Sequence, residues 1–305
     1  MALRFGLLGT GHWAQEVHGT ALAAHGEAEL AGVWGRNPSK ADAVARRFGV
    51  RAYHDLDALL GAVDAVAIAV PPDVQAELAV RAATAGRHLL LDKPLALSAE
   101  AARRVVEAVA AGGVASLLFF TARYHPEVAD WLDRVREAGD WHGAQAVWYG
   151  SIYHPGSPYA ESPWRRSKGA LWDVGPHALA LTLPTLGPVE RVTAGGGLGD
   201  TVHLVLGHRG GASSTLSLSL TVPVAAATTS FALYGPRGHE ELPPFKGTPV
   251  DAFGEAVRQL SAAVAAGTTA HPCDVRFGAE VVAVLDAAQR FLAAPADVRS
   301  QRVTT

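Results

Sequence analysis

Apolar residues come in short continuous runs through the first part of the chain: LRFGLL at 3–8, ELAGVW at 29–34, DAVAIAV at 64–70, HLLL at 88–91 and VASLLFF at 114–120. Between them lie stretches with helical spacing, over 12–25, 37–49, 73–86 and 98–113. Pro38 sits near the first turn of the second stretch and Gly49 follows its end; Ser98 starts the fourth and a glycine pair stops it. Continuous apolar strands alternating with helices predict a parallel sheet covered on both faces. After about residue 121 the pattern changes. A helix is expected near 126–138, and a segment rich in Gly, Pro and aromatic residues covers 149–176. Longer runs occupy 143–153, 189–196, 201–208, 212–222 and 228–235, and TLSLSL at 215–220 alternates strictly. Period two marks a sheet with one buried face and one different face. Two helices near 251–266 and 275–293 close the chain. The expected architecture is α/β: a doubly wound parallel sheet over 1–121, then an α+β domain with an open, mainly antiparallel sheet over 122–305.

Composition narrows the partners. A chain of 305 residues is long for one core, and 49% hydrophobic against 18% charged residues supports well-filled domains. The formal net charge is −3 and the basic residues are scattered, which argues against nucleic acid. Cys273 is the one cysteine, which excludes an intrachain disulfide framework or a Cys-rich zinc site. The N-terminus enters a strand at once, leaving no room for a signal peptide, and no apolar run approaches the roughly 18–20 residues of a membrane span. These features predict a cytoplasmic protein with a small-molecule partner, no membrane association and no metal.

Chemistry gathers at three places. GLLGTGHWAQ gives Gly9-x-Gly11-x-x-Ala14 directly after the first strand, the dinucleotide fingerprint of a Rossmann unit with alanine in its last place. Gly9 permits the tight turn, Gly11 lets a pyrophosphate approach the backbone, and Ala14 allows helix and strand to pack, with the helix N-terminus facing the phosphates. The turn with Thr10, His12 and Trp13 is thus the expected cofactor cradle, and Pro71, Asp92 and Lys93 extend it along the sheet edge. After the second strand an NAD site usually carries a carboxylate for the ribose; this chain has Gly35, Arg36 and Asn37, with Lys40 a turn later. Arginine without a carboxylate can hold a 2′-phosphate, so NADP(H) is favoured over NAD(H), unless Arg36 is an ordinary solvated loop residue.

Lysine is scarce, four of the 26 basic residues, yet Lys93 lies between an apolar run and Pro94. It either snorkels to water or points into a crevice at the carboxyl edge of the sheet. Asp173 and His177 lie four residues apart, within one helix face or, given Gly175-Pro176, on either side of a helix start.

In combination these motifs resemble the Gfo/Idh/MocA oxidoreductase family. The resemblance rests on Gly9-x-Gly11-x-x-Ala14, the Asp92-Lys93-Pro94 corner, Gly169-x-x-x-Asp173-x-Gly175-x-His177 and the two C-terminal helices. It implies hydride transfer between a nicotinamide cofactor and a sugar, cyclitol or related polyol or ketone. Lys93 and His177 would handle the proton from opposite walls of a crevice, and Asp173 would orient substrate or histidine. It also implies an open sheet that serves as an oligomer interface, in a dimer or tetramer. Arg123, Tyr124, Tyr153, Trp164 and Arg165 are the expected substrate contacts. Three departures stand out: Asp92 where glutamate is more usual, Ala180 where many members have aspartate, and a shortened region near 236–250. Two other readings remain open. One is a cofactor-binding sensor without turnover; the other is an enzyme for a hydrophobic carbonyl or dihydrodiol, suggested by Leu171 and Trp172.

Overall fold

The computed structural model describes residues 2–295. The chain divides into two compact units, one holding residues up to Pro126 together with Phe245–Ala279, the other Glu127–Pro244 together with the chain from Glu280.

In the first unit the apolar runs become β1 (Leu3–Leu8), β2 (Ala28–Trp34), β4 (Ala65–Ile68), β5 (His88–Asp92) and β6 (Ser116–Phe119), joined by a short β3 (Arg51–Tyr53). All pair in parallel in the order β3-β2-β1-β4-β5-β6. The order reverses between β1 and β4, and open α/β sheets bind ligands at such a switch point, outside the carboxyl ends of the strands. Helices α2 (Pro38–Phe48), α3 (Leu56–Leu60), α4 (Pro72–Thr84) and α5 (Ala99–Gly112) form the crossovers. Asn37 caps α2 by accepting from the Lys40 amide, and Gly49 ends it at φ 67°, the left-handed region where a glycine costs least. Ser98 caps α5 in the same way. The helix expected after the glycine turn forms with a wide π segment, Ala14–Gly19, leading into α1 (Thr20–Ala24).

A 3-10 turn (Thr121–Tyr124) follows β6. The contiguous division at residue 121 would place all of the C-terminal helices in the second domain; instead α9 (Pro249–Ala265) packs with the first unit. Its apolar stripe, with Phe253, Val257 and Leu260 buried, has Phe253 against His18 (ring centroids 4.0 Å) and Phe119 (5.0 Å). Periodicity shows that a helix has an apolar face, not which surface covers it. Of α10 (Val275–Ala293), the residues to Ala279 belong to the first unit and the rest to the second.

The second unit holds α6 (Pro126–Ala138), β7 (Gly143–Tyr149), α7 (Pro163–Asp173), α8 (Gly175–Leu186), β8 (Val189–Gly196), β9 (Val202–His208), β10 (Ser213–Ser219), β11 (Thr228–Gly235) and β12 (Gly238–Glu241). The sheet order is β12-β11-β7-β10-β9-β8, antiparallel except where β7 meets β10. Leu204, Leu206, Leu216, Leu218, Phe231 and Leu233 fill its inner face. The opposite face, with Gln145, Val205, Thr215 and Tyr234, is exposed. Alternation in TLSLSL foretells this division, with Ser219 a buried exception.

Candidate functional site

The two glycines of the turn are required for different reasons. Gly9 has φ 138°, and a Cβ there would lie 2.3 Å from the Ala69 carbonyl oxygen, so the fold itself demands glycine. Gly11 is exposed, and a Cβ there would meet nothing within 4 Å. The protein gives no packing reason for Gly11; the open space beside it at the helix start suits a phosphate group. Ala14 is buried, and the Gln15 side-chain Nε2 donates to the Thr10 carbonyl (3.0 Å), bracing the turn from within. His12 is exposed and Trp13 half-buried at the same end.

Beyond β2, a Cβ at Gly35 would sit 2.6 Å from Thr10 Cγ2, so the missing carboxylate has a steric reason in this chain. Arg36 and Lys40 are exposed, and neither side chain makes an ion pair or hydrogen bond among the described residues. Asn37 is committed to capping α2 through its side-chain oxygen. Pro71 immediately precedes α4 at the end of the β4 connection.

β5 delivers Asp92 and Lys93 to the same carboxyl edge. Asp92 Oδ1 accepts from the Lys93 amide (2.8 Å), and the Lys93–Pro94 peptide is cis. Gln75 of α4, which the sequence reading passed over, donates from Nε2 to the carbonyls of Asp92 (2.6 Å) and Pro94 (2.9 Å). His18 Nε2 lies 3.9 Å from Asp92 Oδ2. Burial pushes the His18 imidazole down to about 3, so near neutral pH this is a neutral ring beside a carboxylate and not an ion pair.

In the second unit α7 breaks at Gly169 (φ 64°, ψ −164°), and the Ala170 amide just past the break donates to Asp200 Oδ2 (3.0 Å). Asp200 also accepts from the Leu220 amide and the hydroxyls of Ser219 and Thr221, fixing this turn to the end of β10. It is a second organiser that the sequence did not reveal. Asp173 ends α7 and His177 lies in the first turn of α8, separated at Val174, so a helix start between them is the arrangement realised. Gly175 packs closely, since a Cβ would meet Leu285 Cδ2 at 2.9 Å and displace that side chain. The His177 ring stacks parallel to Trp148 (centroids 5.7 Å, 13°).

Asp173 is buried, and Arg165 Nε donates to its Oδ2 at 3.0 Å. The Arg165 guanidinium lies over the rings of Tyr159 (4.5 Å) and Trp164 (4.6 Å). Tyr153 is half-buried with Arg166 over its ring, and desolvation, with Asp200 and Asp173 nearby, raises its hydroxyl pKa. Tyr153, Trp164, Arg165 and Asp173 therefore form one aromatic and charged cluster. Arg123 lies in the first unit over the Phe277 ring (5.6 Å). Tyr124 takes a different place from the substrate contact expected of it: it is 2% exposed and its hydroxyl donates to the Leu118 carbonyl (2.8 Å), a core residue. Leu171 and Trp172 are likewise buried, with Trp172 Nε1 donating to Gln289, so they supply no apolar substrate wall. Ala180 is buried in α8. Among the described residues no three His, Cys, Asp or Glu side chains converge as a metal set, and no helix is long and apolar enough to cross a membrane.

Residues 3–119 match the oxidoreductase family with an NAD-binding Rossmann fold, and residues 136–240 match the GFO/IDH/MocA C-terminal domain. The chain belongs to the Gfo/Idh/MocA family. An uncharacterized oxidoreductase of Rhizobium meliloti is 31% identical over 82% of this chain and 77% of its own length. Inositol 2-dehydrogenase of Rhizobium meliloti (strain 1021) is 34% identical, in a match spanning 41% of this chain and 38% of that protein. Among solved structures, GenD2 from gentamicin A biosynthesis, in complex with NAD, superposes with TM-score 0.83 at 24% identity, covering 96% of this chain and 94% of its own. Levoglucosan dehydrogenase with NADH and levoglucosan gives TM-score 0.83 at 20% identity, covering 96% and 98%. At such identities the superpositions show a shared fold. Family membership makes the chain an oxidoreductase with an NAD-binding Rossmann fold.

Proposed function

We propose that the protein is an NADP(H)-dependent oxidoreductase that moves hydride to or from a carbinol carbon of a sugar, cyclitol or related polyol or ketone. The observation that carries the cofactor reading is Gly11, a glycine without packing or backbone need that opens onto space at a helix start. Gly9 to Ala14, including Thr10, His12 and Trp13, would hold the pyrophosphate, with Pro71 and Asp92 flanking the cofactor. Gly35, Arg36, Asn37 and Lys40 would surround the ribose, Arg36 and Lys40 offering charge to a 2′-phosphate. Such a cofactor, when bound, supplies the acceptor or donor for hydride. Relatives named for inositol, UDP-N-acetylglucosamine and levoglucosan favour a polyhydroxylated substrate.

For the protein's own residues the chemistry is proton handling. Oxidising an alcohol removes the hydroxyl proton as the C–H electron pair departs; reduction returns that proton. Lys93 would stabilise developing charge on the oxygen, and His177 would take or give the proton near neutral pH. Asp173, held by Arg165, would orient the substrate or the histidine. Tyr153, Trp164, Arg165 and Arg123 are the substrate contacts proposed. The exposed sheet face with Val205 and Tyr234 is proposed as the surface for self-association into a dimer or tetramer, in a cytoplasmic setting.

A panel of free sugars, cyclitols, nucleotide sugars and ketones, each offered with NADP(H) and NAD(H) while nicotinamide absorbance is followed, tests the reading. Turnover of a polyhydroxylated compound supports it. Tight cofactor binding with no turnover across the panel would replace it with a non-catalytic sensor.

A further inference from the structure

We propose that Gln75 is a positioning residue for Lys93, an inference that rests on the catalytic role given to Lys93 above. Gln75 is 1% exposed and lies in α4 among Pro72, Ala76, Leu78 and Ala79, all buried. A hydrocarbon chain of similar length would fill such a place. The amide instead spends both of its N–H donors on one short stretch of backbone, the carbonyls of Asp92 (2.6 Å) and Pro94 (2.9 Å). These carbonyls belong to the residues on either side of Lys93. Two acceptor oxygens also fix which way the amide faces, since only its nitrogen can serve both. Its Oε1 has no hydrogen-bond partner among the described residues, so no other contact dictates the orientation.

The backbone of Gln75 is itself anchored, its amide donating to the Pro71 carbonyl at 3.1 Å. Gln75 thus ties the chain leaving β4 to the corner leaving β5. On the other side of the lysine's own peptide, Asp92 Oδ1 receives the Lys93 amide. A lysine ammonium is a point charge on a flexible stem, and a held backbone fixes the point from which that stem reaches. Displacement of a catalytic group by about 1 Å can cost roughly 10²-fold in rate. The glutamine supplies the hold on the residues flanking Lys93.

Gln75→Met removes the donors and keeps the length; Gln75→His restores one ring N–H. Each variant is checked for folding by thermal melting, titrated with NADPH, assayed for turnover and labelled with an amine-reactive ester, with modification at Lys93 and at Lys40 read by peptide mass spectrometry. Gln75→Met is expected to lose about 10- to 100-fold in kcat with NADPH affinity within a few-fold. Its Lys93 labelling rate should change at least about three-fold while that of Lys40 holds, and Gln75→His should recover part of kcat. Wild-type kcat together with a wild-type Lys93 labelling rate in Gln75→Met overturns the proposal. Should Gln75→Met fail to fold, Gln75→His carries the test alone: an intermediate kcat supports it, and wild-type kcat and labelling overturn it. The labelling also separates this inference from the catalytic reading. If Lys93→Met turns over normally, that reading falls, whereas an altered Lys93 labelling rate in Gln75→Met still upholds the positioning.

Discussion

Arg165 and Asp173 form a buried ion pair, Nε to Oδ2 at 3.0 Å, with their side chains 18% and 8% exposed. The pair changes what Arg165 is for. A guanidinium that already serves a carboxylate, flanked by Tyr159 and Trp164, is a support for Asp173 before it is the substrate contact proposed for it. Breaking a buried pair typically costs about 3–5 kcal/mol, whereas exposed pairs contribute about 0–1 kcal/mol. Arg165→Met is therefore expected to lower stability by about 2–4 kcal/mol in denaturant unfolding, the lower figure reflecting the residual exposure of Arg165. Arg209→Met, which breaks the exposed pair with Glu190, should cost less than about 0.5 kcal/mol. Equal effects at the two sites would remove the special role given to Arg165.

Arg36 is expected to set cofactor choice. A charge-assisted hydrogen bond contributes about 1.5–3 kcal/mol, so NADPH should bind roughly 10- to 100-fold more tightly than NADH. Arg36→Ala should erase most of that preference while leaving NADH binding nearly unchanged. Calorimetric titration that finds NADH equal or tighter in the wild type rejects the assignment. Gly35→Asp is a poor converse test, because its Cβ would first have to displace the Thr10 methyl.

The contrast between Gly9 and Gly11 gives a sharper experiment. Gly9→Ala introduces both a strained backbone and a clash with the Ala69 carbonyl, so it should destabilise the first unit. A Cβ at Gly11 meets no atom within 4 Å, so Gly11→Val should keep a near wild-type melting temperature and lose cofactor binding. A Gly11→Val protein that binds NADPH at wild-type affinity would show that the turn is structural only.

Acid should loosen the first unit. His18 is held near a pKa of about 3 by burial, well below its ordinary 6.5, so it stays neutral when folded and charges when unfolded. Below pH 6.5 the unfolded chain therefore binds more protons, and stability falls as pH falls, until the folded pKa is reached. Between pH 6.5 and 5 this amounts to about 2 kcal/mol from His18 alone. His271, at about 4, acts in the same direction, to a smaller extent because it is partly exposed. Unfolding free energies measured from pH 7 to 5 should decline, and His18→Leu should flatten the decline. An unchanged slope in that variant would place the acid sensitivity elsewhere.

The sequence made β1, β2, β4, β5 and β6 legible because each carries an apolar run, fully buried along β4 and β6. β3 was not legible: it is three residues long, Arg51–Tyr53, and exists through pairing with Gly32–Trp34 at the sheet edge. The glycine turn, Lys93 and the Asp173–His177 spacing stand out in the sequence because each is a local pattern. Asp200 was not, because its partners are distant in the chain, the Ala170 amide and the Ser219 to Thr221 stretch. Gln75 did leave a trace, as a polar residue on the apolar stripe that continues through Ala79 and Ala82. Tyr124 misled in the other direction: an aromatic residue between Arg123 and His125 reads as a contact residue until its hydroxyl is seen bonded to Leu118.

Lys93 and His177 are expected to serve the chemical step far more than cofactor affinity. Positioned acid–base groups contribute about 10²- to 10⁴-fold in rate, whereas in the proposed reading the glycine turn and Arg36 would hold the phosphates. Lys93→Met keeps much of the apolar stem and removes the charge, so it separates packing from chemistry better than alanine does. His177→Asn removes the titrating group but also the ring stacked on Trp148, so a small stability loss should accompany its effect. With a substrate in hand, each variant should lose at least about 10²-fold in kcat while NADPH affinity stays within a few-fold. The lysine variant is the more decisive, because water or Asp173 can partly replace a histidine in relaying a proton, whereas no other lysine lies near it in sequence. Near wild-type turnover by Lys93→Met would reduce the lysine to an incidental residue at the end of β5, and the catalytic assignment with it.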